Sequence, residues 1–152
     1  TTAAEPTVAT GAASSADCAG VVEWGTDLAD RVGQAAGLVV PFQTTDVSTL
    51  DPATVRDVAT QLRALGDEQA ASNPPAAAVQ LNTVLTEQFY YALADAVDLI
   101  AGALEQNNAA GALSGQMAAM AVVKVFDDGG PYDLATQALA AACPVEMQQL
   151  DQ

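Results

Sequence analysis

Two cysteines, Cys18 and Cys143, enclose nearly all of the chain that has the composition of a folded protein, and the sequence contains no histidine. Metal sites built on cysteine usually have short spacings and additional Cys or His ligands, which this chain lacks. The sequence therefore predicts one disulfide that joins the two ends of the folded region, with two buried free thiols as the alternative. In the chain-entropy model, closing so long a loop stabilises the fold by about 5 kcal/mol.

The residues before Cys18 have a different composition from the rest. Residues 1–16 are mostly Ala, Thr and Ser, without an apolar period, and this predicts a flexible spacer followed by one helical domain over residues 17–152. The spacer and the disulfide together indicate an extracytoplasmic bacterial protein, either secreted or attached to the cell envelope by a lipidated cysteine upstream of Thr1. A piece of a larger cytosolic protein is the alternative.

Charge excludes one large class of partners. Four basic residues stand against nineteen acidic ones, giving a formal net charge of -15. Such a chain lacks the cationic surface that nucleic-acid phosphates require, and anionic lipid headgroups are disfavoured for the same reason. We expect a protein partner with a cationic or apolar surface and no nucleic acid. Alternatively, the acidic surface serves only to keep the protein soluble.

The apolar periodicity predicts an all-α fold, an antiparallel bundle of four to five helices with one terminal disulfide. The first helix is predicted to begin at the cap Asp17 and to stop at Gly37 and Pro41. Asp51 and Pro52 have the cap and first-position chemistry of a second helix, which frays after Leu65. The third helix is predicted to run unbroken from the two prolines at 74 and 75 to about Gln106.

Two further helices complete the predicted bundle. Residues 109–126 are predicted to form a buried core helix rather than a membrane span, because Gln116 and Lys124 interrupt the apolar run. Its inward side chains are predicted to be those of Leu113, Met117, Met120, Ala121, Val125 and Phe126. The last helix is predicted to begin near Pro131 and to end at Pro144.

An aromatic cluster is the candidate ligand-binding site. Phe89, Tyr90 and Tyr91 are consecutive, and because neighbouring helical residues point about 100° apart, at least one tyrosine must leave the core face. Met117 and Met120 are placed beside them. These five residues are the candidate contacts for a lipid or a porphyrin, with a tyrosine able to serve as an axial haem ligand. Ordinary core packing is the alternative.

A row of carboxylates is the candidate cation site. Glu87, Asp95 and Asp98 share one side of the third helix with Tyr91. Carboxylates alone suit hard cations that are held weakly, so the sequence predicts at most a weak cation seam, with Lys124 as the counter-ion if any of it is buried. A solvated helix face is the alternative.

One glycine turn has a superficial likeness to a calcium loop. The segment FDDGGPYD contains Asp127, Asp128 and Asp133, but it lacks the D-x-[DN]-x-[DN]-G spacing and the bidentate glutamate of an EF-hand. We therefore expect these aspartates to cap helices.

The residue inventory also limits chemistry. Without histidine there is no Ser-His or Cys-His nucleophile, and no G-x-S-x-G turn is present. The sequence predicts no enzyme, no cofactor and no stoichiometric transition metal. It favours a non-enzymatic, extracytoplasmic helical interaction module of the bacterial envelope. The alternative is a carrier that binds a small apolar ligand, lipid or porphyrin, between its helices, and weak cation binding by carboxylates comes third.

Overall fold

The computed structural model describes residues 15–152, which are mostly helical and contain no strand. The predicted all-α bundle with one disulfide is confirmed. The predicted spacer, 1–16, lies outside the described residues except for its last two, and it stays a prediction. The α-helices are α1 (Ser15–Cys18), α2 (Val21–Thr44), α3 (Pro52–Ala70), α4 (Val79–Thr83), α5 (Ala92–Glu105), α6 (Ala109–Val123), α7 (Pro131–Ala142) and α8 (Pro144–Leu150).

Helix α2 differs from its prediction at both ends. Asp17 is not its cap but part of α1, and Gly20, at a left-handed φ of 82°, precedes the first residue of α2. The helix continues through Gly37 and Pro41 to Thr44. The predicted stop is wrong because burial of Phe42, one residue past the proline, fixes the last turn against the core and offsets the hydrogen bond that proline removes.

Helix α3 begins as predicted. The side chain of Asp51 accepts a hydrogen bond from the Thr54 amide at 2.9 Å, and Pro52 occupies the first turn. Its end was predicted to fray, but the helix is regular as far as Ala70 because Gln69 is fully buried there. Asn73 then takes a left-handed φ of 50° and turns the chain toward the two prolines.

The predicted long third helix is helical throughout but not uniform. A 3-10 turn (Ala76–Ala78) leads into α4, a π-helical segment (Val84–Tyr91) follows, and α5 completes it. A helical period alone does not distinguish a π-helical segment from an α-helix, so the sequence did not reveal it. The chain then reverses at Asn107, with φ 53°, and Asn108 caps α6 by accepting from the Gly111 amide at 2.9 Å.

Helix α6 and the 3-10 turn after it (Lys124–Phe126) occupy the predicted range, but the inward face was predicted wrongly. The buried residues of α6 are Ala112, Gly115 and Ala119. Four of the six residues predicted to point inward are exposed: Leu113, Met117, Met120 and Ala121. The other two follow α6 in the 3-10 turn, where Val125 is buried as predicted and Phe126 is half-buried. Apolar residues surround this helix on every side, so periodicity could not select a face, and the smallest side chains face α5 because they allow the closest approach.

One helical stretch of the described chain, Ala109–Ala142, is long and apolar enough to be a candidate membrane span by length and composition alone. Its mean hydropathy reaches 1.4 over an 18-residue window, of which 22% is buried. Core helices of soluble proteins and signal sequences meet the same criterion. The turn at residues 127–130 interrupts the stretch, and α6 by itself is about 22 Å long, shorter than the roughly 30 Å hydrocarbon core of a bilayer.

The disulfide joins the two ends of the described fold. Cys18 is the last residue of α1, Cys143 lies between α7 and α8, and their Cα atoms are 5.7 Å apart. Helix α7 ends at Ala142, just before Cys143 and Pro144, as predicted. Pro144 also occupies the first position of α8, a helix that was not predicted, where its missing N–H is tolerated. The bond therefore fixes the origin of α8 beside the origin of α2.

Candidate functional site

The predicted aromatic cluster lies in the π-helical segment, and its rings have different surroundings. Phe89 and Tyr90 are buried, and the Phe89 ring lies 4.9 Å from the Tyr90 ring and 4.8 Å from the Phe126 ring. Tyr91 is only half-buried and donates a hydrogen bond to Asp67 at 2.6 Å, which raises the pKa of its hydroxyl. The prediction that one tyrosine leaves the core face is confirmed.

Tyr90 is the most unusual polar group in the core. Its side chain is fully buried, and its hydroxyl has no hydrogen-bond partner within residues 15–152. Burial raises its pKa to about 12, and the positive charge of Arg31 opposes that shift. The hydroxyls of Thr86, in the same segment, and Thr136, in α7, are also buried and have no hydrogen-bond partner among the described residues. Hydroxyls of this kind lower stability, because folding removes their water without replacing it.

The methionines do not join the aromatic cluster. Met117 is 65% exposed and Met120 is 63% exposed, both on the outer side of α6. Tyr90, Tyr91 and Met117 line none of the clefts described below. The structure therefore divides the five candidate ligand contacts into a buried pair, a rim tyrosine and an exposed pair.

The exposed methionines belong to a continuous apolar stripe. We call this stripe the α6 face, and it consists of Leu113, Met117, Met120 and Val123, which are between 41% and 65% exposed. The stripe exists because α6 packs through its small side: a Cβ atom added to Gly115 would lie 2.7 Å from Ile100 Cγ1 on α5. Small residues on the inner side thus leave the large ones in solvent.

Charged residues are nearly absent from α6 and the 3-10 turn that follows it. Residues 109–126 contain no Asp or Glu, although the chain has nineteen, and Lys124 is their only charged residue. Leu113, Met117 and Met120 follow one another at four and three residues, and Lys124 continues the series after four more. This is the alternating spacing of helices that pack along a seam.

A shallow crevice borders the α6 face. Its volume is about 30 Å³, and Met120 and Val123 line it together with Val39, Phe42 and Leu93. The crevice is too small to hold a ligand. It lies between α6 and the end of α2. Gln116 on α6 donates a hydrogen bond to the Phe42 carbonyl across this boundary. The α6 face therefore rests on a fixed helix.

The predicted cation seam forms ion pairs with arginine. Arg63 on α3 contacts Asp95 at 2.9 Å and also pairs with Asp98. Arg56 lies about two turns before Arg63 on the same helix. It contacts Asp98 at 3.3 Å and Glu105 at 2.9 Å. Two arginines of α3, rather than Lys124, are thus the counter-ions of Asp95 and Asp98. Glu87 is exposed and takes no part in these ion pairs.

The aspartates of the glycine turn have separate roles. The Asp133 carboxylate accepts hydrogen bonds from the Gly129 amide and from the Gln137 side chain, each at 2.8 Å. Asp127 and Asp128 are exposed. The Asp133 carboxylate therefore closes the turn from within the first turn of α7. The N-cap position of α7 is occupied by Gly130 and has no side-chain hydrogen bond, so the expected capping of this helix by an aspartate is not seen.

One cluster within residues 15–152 brings three metal-ligating atoms within 4.8 Å of one another: Cys18, Cys143 and Glu146. Both sulfur atoms are consumed by the disulfide, so the cluster offers one carboxylate and no thiolate.

A cleft of about 650 Å³ lies between α2, α7 and α8. Trp24, Leu28 and Val32 of α2 form one wall, and Met147 and Leu150 of α8 form another. Tyr132 and Thr136 of α7 line the cleft as well, and Asp30 and Asp151 do so as exposed carboxylates. We call this space the α2–α7–α8 cleft. Its volume lies within the range of about 300–1,000 Å³ that is typical of ligand pockets.

A buried polar network supports the same wall from behind. The side chain of Trp24 donates to Ser72 at 2.9 Å, and Gln69 donates to Asn82 at 2.6 Å. Arg31 donates to the Gln69 side-chain oxygen at 2.6 Å, so the network joins α2, α3 and α4. It fixes the indole ring of Trp24 and the register of α2 on α3.

No protein-family model, no curated protein and no solved structure matches this chain.

Sequence reasoning missed the α2–α7–α8 cleft entirely. Its wall depends on α8, which the sequence did not predict, and on Gly25, where an added Cβ would lie 2.7 Å from Leu150 Cδ1. The small residue at position 25 was a usable signal, because a glycine within a helix usually marks a close approach of another element.

Proposed function

We propose that the protein is a non-enzymatic interaction module whose α6 face docks the apolar side of an amphipathic helix with basic flanks, supplied by a partner protein. The observation that carries the proposal is the exposure of Leu113, Met117, Met120 and Val123 in one stripe without a carboxylate. Scattered apolar residues on a surface need no explanation, whereas a continuous stripe of them commonly marks a binding surface.

The stripe contains enough apolar surface to drive binding. Complete burial of a Leu, Met or Val side chain contributes roughly 1.5–3 kcal/mol. The four side chains are already partly covered, so their further burial contributes about 1 kcal/mol each. Methionines add adaptability, because an unbranched thioether fits different partner shapes.

Charge selects the kind of partner. The net charge of -15 repels other acidic chains, including a second copy of this one, and attracts basic flanks around an apolar centre. The seam spacing of Leu113, Met117 and Met120 matches a helix better than an irregular loop. A helix with leucines on one side and lysines beside them satisfies both conditions.

Location forms part of the same proposal. The disulfide between Cys18 and Cys143 indicates an oxidising compartment. We propose that the protein acts outside the cytoplasm, secreted or attached to the bacterial envelope.

The carrier alternative finds less support at the residues predicted for it, because Tyr90 is fully buried in the core whereas Met117 is 65% exposed on the outer side of α6. Weak cation binding is also less favoured, since Asp95 and Asp98 are already paired with Arg63. Solvent-exposed ion pairs of this kind contribute little to stability but neutralise the carboxylates that a cation requires.

The test uses a labelled synthetic helix with leucines on one side and lysines on the flanks, and its affinity is measured by fluorescence anisotropy at 0.15 M salt. We expect saturable binding at a one-to-one ratio. The double variant Met117→Gln, Met120→Gln is expected to weaken binding at least ten-fold. The matched control is Leu134→Gln, because Leu134 is 55% exposed on α7 and lies outside the α6 face.

Three results oppose the proposal. Equal binding by both variants means that the peptide adsorbs to the acidic surface without using the α6 face. Concentration-dependent dimerisation that the methionine variant abolishes assigns the face to a second copy. Flotation with neutral phosphatidylcholine vesicles, lost in the same variant, assigns it to a lipid surface.

A further inference from the structure

We propose that the α2–α7–α8 cleft is a binding site for a small apolar molecule that carries a cationic amine. The inference goes beyond the proposed function, because the cleft shares no residue with the α6 face. Its volume of about 650 Å³ is sufficient for one ligand of moderate size.

The walls of the cleft favour an apolar body. Leu28 and Val32 of α2 face Met147 and Leu150 of α8 across the space, and Leu139 of α7 also lines it. A thioether and branched side chains offer dispersion contacts and no strong hydrogen-bonding group. A ligand that fills the cleft therefore buries mainly hydrocarbon, which is favourable in proportion to the area removed from water.

The charged groups of the cleft specify the head of the ligand. Asp30 and Asp151 are the charged residues that line it, both as exposed carboxylates, and no lysine or arginine is among the lining residues. An anionic head such as a fatty-acid carboxylate meets repulsion there, whereas an ammonium group meets attraction. Trp24 and Tyr132 also line the cleft, and aromatic rings attract a nearby cation.

The cleft has a fixed shape. Hydrogen bonding of the Trp24 indole to Ser72 at 2.9 Å holds one wall. The opposite wall, α8, starts at Cys143, which the disulfide anchors to Cys18 beside the first turn of α2. Close contact between Leu150 and Gly25 seats the far end of α8. A preorganised site of this kind loses less conformational freedom on binding than a flexible one.

The sequence provides its own reporter. Trp24 is the one tryptophan of the chain, so a change of its emission reports occupancy of the cleft without a label. The probes are octyltrimethylammonium, octanol and octanoate, which share a chain and differ in charge. Titrations followed by tryptophan emission and by calorimetry are carried out below the micelle concentration at 0.15 M salt.

We expect octyltrimethylammonium to bind saturably at one site and at least ten-fold more tightly than octanoate, with octanol between them. Gly33→Leu is expected to weaken all binding at least ten-fold, because position 33 lines the cleft and an added side chain there meets open space. Gly37→Leu is the matched control: it lies one turn further along α2, also faces open space, and is outside the cleft.

A second variant tests the charge preference without changing the volume of the cleft. Asp30→Asn together with Asp151→Asn is expected to remove most of the preference for the ammonium over octanoate while octanol binding stays unchanged. Equal affinity of the wild-type protein for the three probes overturns the charge assignment. Ammonium binding that Gly33→Leu leaves intact overturns the site, since it then reflects adsorption to the acidic surface. The Met117→Gln, Met120→Gln variant is expected to bind the ammonium normally, which separates this inference from the proposed function.

Discussion

Gly115 of α6 lies directly against Ile100 of α5. A Cβ atom at position 115 would stand 2.7 Å from Ile100 Cγ1 and 3.0 Å from the Ile100 amide nitrogen, closer than side chains tolerate. This contact decides which side of α6 is buried. With the backbone of α6 so near α5, only small residues fit on the inner side, and the α6 face is left outside.

Replacing Gly115 is therefore expected to destabilise the fold. Gly115→Ala removes a residue of low helix propensity, which by itself stabilises by about 1 kcal/mol, but the clash with Ile100 is expected to cost about 1–3 kcal/mol. The matched control is Gly102→Ala in α5, where an added Cβ meets nothing within 4 Å, and it is expected to raise stability. Urea unfolding of both variants checks this, and a stabilised Gly115→Ala protein would contradict the close approach of α5 and α6.

The disulfide is expected to supply a large share of the stability. Cys18 and Cys143 are separated by 125 residues, and opening so long a loop is expected to lower the free energy of unfolding by up to about 5 kcal/mol. Urea unfolding with and without reductant measures the loss. Intact mass after alkylation is the control: oxidised protein is expected to take up no alkyl group, and uptake of two would refute the bond.

Tyr90 is expected to make stability fall at alkaline pH. Its pKa in the fold is about 12 against 10 in the unfolded chain, so the unfolded chain loses the proton first. Ionisation of Tyr90 therefore does not lower the free energy of unfolding below pH 10. Above pH 10 the free energy of unfolding falls, until the pH has risen through about 12. The loss amounts to about 3 kcal/mol.

The variant Tyr90→Phe is expected to flatten this decline. It is also expected to raise stability at pH 7 by about 1 kcal/mol, since it removes a buried hydroxyl that has no hydrogen-bond partner within residues 15–152. Tyr91→Phe serves as comparison and is expected to flatten the decline less, because Tyr91 is near solvent. Urea unfolding from pH 8 to 11.5 provides the measurement. An unchanged slope in Tyr90→Phe would show that the Tyr90 hydroxyl is hydrated.

The buried network is expected to respond sharply to the loss of Gln69. Gln69→Leu removes the hydrogen bonds to Arg31 and Asn82 and leaves both without that partner, at a cost of about 2–4 kcal/mol. Gln61→Leu, on the exposed side of the same helix, is the control and is expected to change stability by less than about 0.5 kcal/mol. Thermal unfolding compares the two variants. Equal midpoints would mean that water replaces the Gln69 side chain.

The sequence by itself determined the helical class, the disulfide and most of the turns. These features depend on local chemistry. Asp51 and Pro52 start a helix, and Asn107 and Asn108 reverse the chain. The prolines at 74 and 75 separate two helices because the residue before a proline disfavours the helical conformation. The pairing of Cys18 with Cys143 followed from their number and their distance in the chain. The three consecutive aromatic residues were identified, and so was the need for one tyrosine to leave the core. The rings of Phe126 and Tyr132, which extend the cluster from Phe89, were not assigned to it.

Tertiary structure alone decided where the surfaces lie. Periodicity identifies the buried face of a helix only when apolar and polar residues lie on different sides. Because α6 is apolar on all sides, its buried face was determined by the close contact of Gly115 with Ile100. Pro41 was tolerated because burial of Phe42 outweighed one lost hydrogen bond. Asp98 met Arg63 rather than Lys124 because α3 packs beside α5. The cleft exists because the disulfide and the contact of Leu150 with Gly25 hold α8 against α2. These contacts join residues that are far apart in the chain, so a local sequence pattern cannot predict them.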